Sequence, residues 1–287
     1  MFWLDWRELE KHNDWGVRDK DDATAAMWND GADMWEARSR QELKFAQDQV
    51  NALDHITKDT TVLDVCCGTG PLTISLCQKA KHVTAFDFNE KMLDYVRQKT
   101  KDAGLENVDF LQGNFNTITA GVDFSPADVV VTRHSPAQGN ILKFSTFASK
   151  YCYSLALAVP AKDSIPLPGR KGGRWLKSSN ENENTQVRPD GRKYGLNITF
   201  NLLYEAGANP EIHYVTDRKT FTAQSPDELA KLVFPAGHNL EMIEYLSIHA
   251  AKTESGLCYE RIQTMAVMGW DPREIQWDEL KKLGIEW

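Results

Sequence analysis

Asp64, Gly68, Gly70 and Asp87 fall in an order and at a spacing that can hold a nucleotide. Residues 62–70 read Val-Leu-Asp-Val-Cys-Cys-Gly-Thr-Gly, a buried apolar strand running into a tight glycine turn. Twenty-three residues after Asp64, the segment His82-Val-Thr-Ala-Phe86 ends in Asp87. Glycines in such a turn let the backbone approach a ligand closely. A carboxylate ending the next strand can accept hydrogen bonds from both ribose hydroxyls. Farther on, Thr132-Arg-His-Ser-Pro136 follows another apolar strand. His134 there is a candidate general base for a hydroxyl or thiol, because an imidazole titrates near neutrality. Arg133 is a candidate partner for a carboxylate or phosphate. A loop histidine that only supports structure is the competing reading.

These residues need a frame of alternating strands and helices. The patterning predicts strands at about 61–66, 82–87, 108–112, 127–132 and 152–159. Helices are expected over 71–80, 90–103 and 138–150, with an earlier one over 34–53. Such alternation implies a doubly wound α/β sheet that binds ligands at the carboxyl ends of its strands. Residues 160–193 break the rhythm with prolines, glycines and a polar run, and read as a lid-like insertion. Arg170, Lys171, Arg174, Lys177, Arg188, Arg192 and Lys193 make it locally basic. A helix over 194–206 follows, then a strand near 211–216, a helix opened by Ser225-Pro-Asp-Glu228, an apolar segment at 240–249 and a strand at 257–268. Tyr194, Asn197, Asn201 and Tyr204 share one face of their helix and are candidates to line an acceptor pocket.

The glycine count argues against a dinucleotide. Pro71, Leu72 and Thr73 stand where a third phosphate-cradling glycine would be needed. The stretch instead resembles the first motif of class I S-adenosyl-L-methionine-dependent methyltransferases, roughly Val-Leu-Asp-x-Gly-x-Gly-x-Gly, with Cys66 in place of the first glycine. The resemblance is good over residues 28–160. It implies a Rossmann-like, mostly parallel seven-stranded sheet with helices on both faces, in which the late strands form the antiparallel hairpin that such sheets add at one edge. It also implies a helical cap over residues 1–55 and a methyltransferase domain over 56–287. S-adenosyl-L-methionine would be the cofactor and S-adenosyl-L-homocysteine the product. In the family, the position of Asp64 contacts the amino-acid end of the cofactor, which the turn Cys66–Gly70 would receive. Asp87 would hold the ribose, with Phe88 and Met92 flanking the adenine. Asn114, where the family usually has Asp, would accept from the adenine amino group, with Phe115 beside it. Thr132 would close the cofactor side at the end of its strand. The segment Met27 to Trp35 resembles the aromatic lead-in of small-molecule methyltransferases. There Trp28 would cover the cofactor and Trp35 the acceptor, excluding water from the sulfonium.

Composition bounds the rest. The chain has 287 residues, 41% of them hydrophobic, and a net charge of −8, which disfavours a polynucleotide substrate. No run approaches the length of a membrane span. The start of the chain is acidic and unlike a signal peptide. Five cysteines without metal-type spacing suit a reducing cytoplasm, and no metal site is expected. The expectation is methyl transfer to an O, S or N atom of a small molecule by a cytoplasmic monomer or homodimer. The alternatives are a methyltransferase acting on protein or RNA, a non-catalytic cofactor-binding module, and a nicotinamide-dependent oxidoreductase.

Overall fold

The computed structural model describes residues 22–158, 196–235, 237–285 and 287. The 160–193 insertion, Tyr194 and residues 1–21 of the cap lie outside them. Helix α1 spans Asp22–Asn51. It starts earlier than the helix expected from residue 34, because Ala23, Ala25 and Ala26 extend helix-forming sequence toward the N-terminus. Then come β1 (Thr61–Val65), α2 (Pro71–Lys79), β2 (His82–Asp87), α3 (Glu90–Asp102), β3 (Val108–Gln112) and β4 (Ala127–Arg133).

The helix expected over 138–150 is instead a 3₁₀ turn at Pro136–Gly139 and a short α4, Ile141–Ser145. Asn140 separates the two, since its side chain caps α4 by accepting from the Lys143 N–H. β5 consequently starts at Ala148 and runs to Leu157. The remaining elements are α5 (Leu196–Glu205), β6 (Glu211–Ala223), α6 (Pro226–Val233), α7 (Leu240–His249), β7 (Ala251–Thr253), β8 (Gly256–Trp270) and α8 (Trp277–Lys282).

Among the described residues the sheet has eight strands, in the order β3-β2-β1-β4-β5-β8-β6, with β7 paired to β8. The extra strand beyond the seven expected is the short β7. Strands β1 to β5 are parallel, and β8 joins β5 and β6 in antiparallel register. The late hairpin is longer than expected, because β6 and β8 stay paired from Glu211↔Gly269 to Ala223↔Leu257.

Helices cover both faces. Leu63, Val65, Phe86 and Val130 pack with α4 and α5 on one side. Val62, Val83, Val129 and Val131 pack with α2 and with Phe45, Ala46 and Val50 of α1 on the other. The second half of α1 thus belongs to the core, while its first half reaches α3. There Lys99 pairs with Glu36 at 2.6 Å, Lys91 with Asp33 at 2.8 Å, and the Asn89 amide donates to Asn29 Oδ1 at 2.8 Å. No described helix is long and apolar enough to cross a membrane.

Candidate functional site

The carboxyl ends of β1, β2, β3 and β4 open together beneath the first half of α1. The cleft between them encloses about 1030 Å³, open mouth included. Its floor is the turn after β1. The Cys67 N–H donates to the Phe86 carbonyl at 3.0 Å, and the Gly70 N–H to the Cys67 carbonyl at 3.0 Å. Asp87 clamps this turn from β2. Its Oδ2 accepts from the Gly68 N–H at 2.8 Å and its Oδ1 from the Asn89 N–H at 2.9 Å. A carboxylate offers about four acceptor sites in all.

Among the described residues, two without the freedom of glycine sit in the left-handed region, Cys66 at φ 55° and His134 at φ 50°. They directly follow the adjacent strands β1 and β4, and both line the cleft. Strained backbone of this kind collects at functional sites. At Cys66 the left-handed angle costs about 1–2 kcal/mol, partly offset by the smaller freedom of a non-glycine residue when unfolded. Cys66→Gly is therefore expected to raise stability by about 0.5–1 kcal/mol in urea melts. A loss of stability would show that the thiol contributes packing larger than the strain. Gly70 has no such latitude. Its φ is 76° and a Cβ there would lie 2.8 Å from a Val96 methyl. Gly113 also lines the cleft, and a Cβ on it would meet the Phe86 ring at 2.9 Å.

Asp64 lies beneath the turn rather than on the cleft. Its side chain points from β1 toward α2 and accepts from the Thr73 hydroxyl at 2.7 Å. Burial pushes its carboxyl up to about 7, against the opposing Thr73 hydrogen bond and with some help from the Asp87 charge. A raised acid holds its proton more tightly when folded. Native stability therefore falls by up to about 4 kcal/mol as pH rises through the window from about 4 to about 7. Asp64→Asn lacks this titration, so its stability relative to the parent should climb across that window. Urea unfolding of both proteins at about pH 5 and about pH 8 checks it. Curves that shift in parallel would contradict the assignment.

Thr132 is also covered, its hydroxyl donating to the Val65 carbonyl at 3.0 Å and lying 2.5 Å from Ser135 Oγ. It ties the end of β4 to the end of β1. Arg133 and His134 do reach the cleft. The guanidinium of Arg133 binds α1, donating through Nη2 to Glu42 at 2.6 Å and through Nε to Gln49 at 3.0 Å. Burial pushes the Glu42 carboxyl up, but the Arg133 and Arg38 guanidiniums outweigh it and hold the acid at about 2.

The other expected positions divide clearly. Phe88, Met92, Asn114, Phe115, Trp28 and Trp35 all line the cleft. The two tryptophan rings lie 5.8 Å apart, with the Arg38 guanidinium 5.2 Å from the Trp35 ring centre. Asn114 Oδ1 already accepts from the Asn116 N–H at 2.9 Å. Asn197, Asn201 and Tyr204 are not brought to the cleft. Asn201 donates to the Asn197 carbonyl at 2.6 Å within α5, and Tyr204 is 63% exposed. Sequence reasoning missed Arg38, Ser39 and Glu42. Their signal was present, since they continue the Trp28–Trp35 face of α1 at helical spacing.

A family model described as a methyltransferase domain matches residues 56–165. Demethylmenaquinone methyltransferase of Listeria welshimeri is 45% identical over 65 residues, 22% of this chain and 28% of that protein. The enzyme of the same name from Bacillus subtilis is 35% identical over 79 residues, 26% of this chain and 34% of that protein. The chain thus spans about a third or less of the length of these curated relatives. Among solved structures, the YcgJ protein of Bacillus subtilis gives a TM-score of 0.49 at 11% identity, covering 79% of this chain and 98% of that one. The matched segment holds the sheet side of the cleft. The α1 side lies before it.

Proposed function

We propose, from the premise that residues 56–165 are a methyltransferase domain, that this chain transfers a methyl group from S-adenosyl-L-methionine to a small-molecule acceptor, leaving S-adenosyl-L-homocysteine. The observation that supports the reading is the clamp of Asp87 on the Gly68 N–H, which brings a carboxylate suited to a ribose beside a glycine turn on one cleft. The residues suit the cofactor. A turn with glycine at 68 lets a ligand approach the backbone, and the closeness of Gly113 to Phe86 leaves that wall without a side chain. Phe88 and Met92 offer an apolar ring and a polarizable sulfur to an adenine. Asn114 keeps its amide and a second carbonyl lone pair for the same base.

When bound, the cofactor supplies an activated methyl on a sulfonium. The chain's own part is to hold, orient and dry the site. Trp28 and Trp35 exclude water, and residues 1–55 act as a cap on the domain formed by 56–287. His134 takes a proton from an acceptor hydroxyl or thiol. Arg133 fixes the cap to the end of β4, which keeps His134 facing the cleft. Both curated relatives are named for a small-molecule acceptor, demethylmenaquinone, which supports that class of substrate. A net charge of −8 weighs against a nucleic-acid substrate.

The test is transfer of a labelled methyl from S-adenosyl-L-methionine to a panel of small hydroxyl, thiol and amine acceptors, run beside RNA and protein. Label entering only RNA or protein would reject the small-molecule reading.

A further inference from the structure

Arg261 has no task in the reading above. It stands on β8 at the same strand-face parity as Met265 and Val267, on the side of the sheet covered by α1. Its Nη1 donates to the Val233 carbonyl at 3.4 Å, and its guanidinium lies 5.2 Å from the centre of the Phe221 ring. Its Nε and Nη2 are buried and have no hydrogen-bond partner among the described residues. These two N–H groups form one edge of the guanidinium. That edge is the side-on fork which meets a carboxylate or phosphate with two parallel bonds.

Nearby carboxylates leave the fork open. Glu42 gives Oε1 to Arg38 at 2.9 Å and Oε2 to Arg133 at 2.6 Å. Glu42 and Asp217 act on Arg261 only through space, and Arg38 repels it. Three guanidiniums therefore face Glu42, which two of them already bind, and Asp217 is the other carboxylate that acts on Arg261. Arg38, Glu42 and Arg133 all line the cleft, so the charge imbalance borders the candidate site. Gln49 Nε2 is also a buried donor without a partner among the described residues, whereas the buried Gln263 Oε1 is an acceptor and offers nothing to an anion. Buried donors without partners carry their full desolvation penalty, which a ligand that pairs them removes.

We propose that the Nε–Nη2 fork of Arg261 receives an anionic group, a carboxylate or a phosphate, carried by the methyl acceptor. Arg261 is not itself in the cleft wall, so the β8 side of α1 is then an anion subsite beside the cleft. This deepens the methyltransferase reading and rests on it only for the identity of the anion's carrier. The acceptor and the cofactor's own carboxylate are the two sources of such a group, and they are separable.

Benzoate and inorganic phosphate are titrated by calorimetry at constant ionic strength into the parent and Arg261→Met, with and without saturating S-adenosylhomocysteine. The parent should bind at least one of them in both states. Arg261→Met should bind it at least about tenfold more weakly, while its affinity for S-adenosylhomocysteine stays within about twofold of the parent. Arg261→Lys keeps the charge without the fork and should fall between the two. It also carries the comparison if the methionine variant does not fold. Equal anion binding by parent and variants, or none by the parent, would overturn the proposal. A tenfold loss of S-adenosylhomocysteine affinity would overturn it too, by assigning the fork to the cofactor. Failure of the parent to bind S-adenosylhomocysteine would instead count against the methyltransferase reading, and the anion titration without it would still decide the subsite.

Discussion

Asp87→Ala should weaken binding of S-adenosylhomocysteine at least about a hundredfold. Asp87 is 6% exposed and accepts from two backbone N–H groups, those of Gly68 and Asn89. Two ribose hydrogen bonds to an ionised acceptor contribute about 1.5–3 kcal/mol each, which alone corresponds to roughly a hundredfold or more in affinity. Alanine also strands the Gly68 N–H and so loosens the turn that must receive the rest of the ligand. Asp87→Asn separates these effects. Its single carbonyl oxygen can satisfy only one of the two backbone donors, while its amide turns a donor toward the other. Its loss should be at least about tenfold and smaller than that of alanine. Equilibrium binding, with unfolding curves to show that each variant is folded, measures both. Affinity unchanged in a folded Asp87→Ala would remove the ribose role from Asp87.

The second large effect is expected at Arg133. Arg133 and Glu42 have side chains 11% and 5% exposed and meet at 2.6 Å. Arg133→Met leaves Glu42 buried with Arg38 alone and takes the donor from Gln49 Oε1. Breaking one side of a buried pair costs about 3–5 kcal/mol. The Glu42 acid is depressed from 4.5 to about 2, so its contribution is fully present above pH 4.5 and is lost as pH falls toward 2. That contribution is about 3 kcal/mol in the parent and should shrink in the variant, whose stability would depend less on pH over this window. Its sign is opposite to that of Asp64, which weakens the fold as pH rises from about 4 to about 7. Adding Glu42→Gln to Arg133→Met should recover part of the lost stability, since the buried charge goes with its partner. Urea unfolding across pH decides this. A variant within about 0.5 kcal/mol of the parent would mean that the pair is replaced by solvent.

The sheet side of the cleft was legible because its chemistry is local. The strand, turn, helix and second strand that hold Gly68, Gly70 and Asp87 occupy 27 consecutive residues, 61–87, and the glycines announce their backbone needs. Asp64 was legible as a motif residue but not as a covered one. Strand alternation turns it toward Thr73, and that becomes visible only when α2 is in place. The cap side was half legible. Trp28 and Trp35 stood out as large aromatics, whereas Arg38 and Glu42 have only their shared helix face to mark them. Their meaning depends on Arg133, 91 residues beyond Glu42 in the chain. Arg261 was not legible at all, since a lone arginine in an alternating strand reads as solvent-facing. The Asn/Tyr face of α5 misled because helical spacing shows which residues share a face but not what the face looks onto.

The account rests on which ligand the turn and Asp87 receive, and calorimetric titration of the parent protein tests that most directly. S-adenosylhomocysteine is titrated into the folded protein, with NAD as the control ligand. The account predicts saturable binding of S-adenosylhomocysteine at micromolar concentration and none of NAD. Binding of NAD, or no binding of S-adenosylhomocysteine by protein shown to be folded, would contradict it.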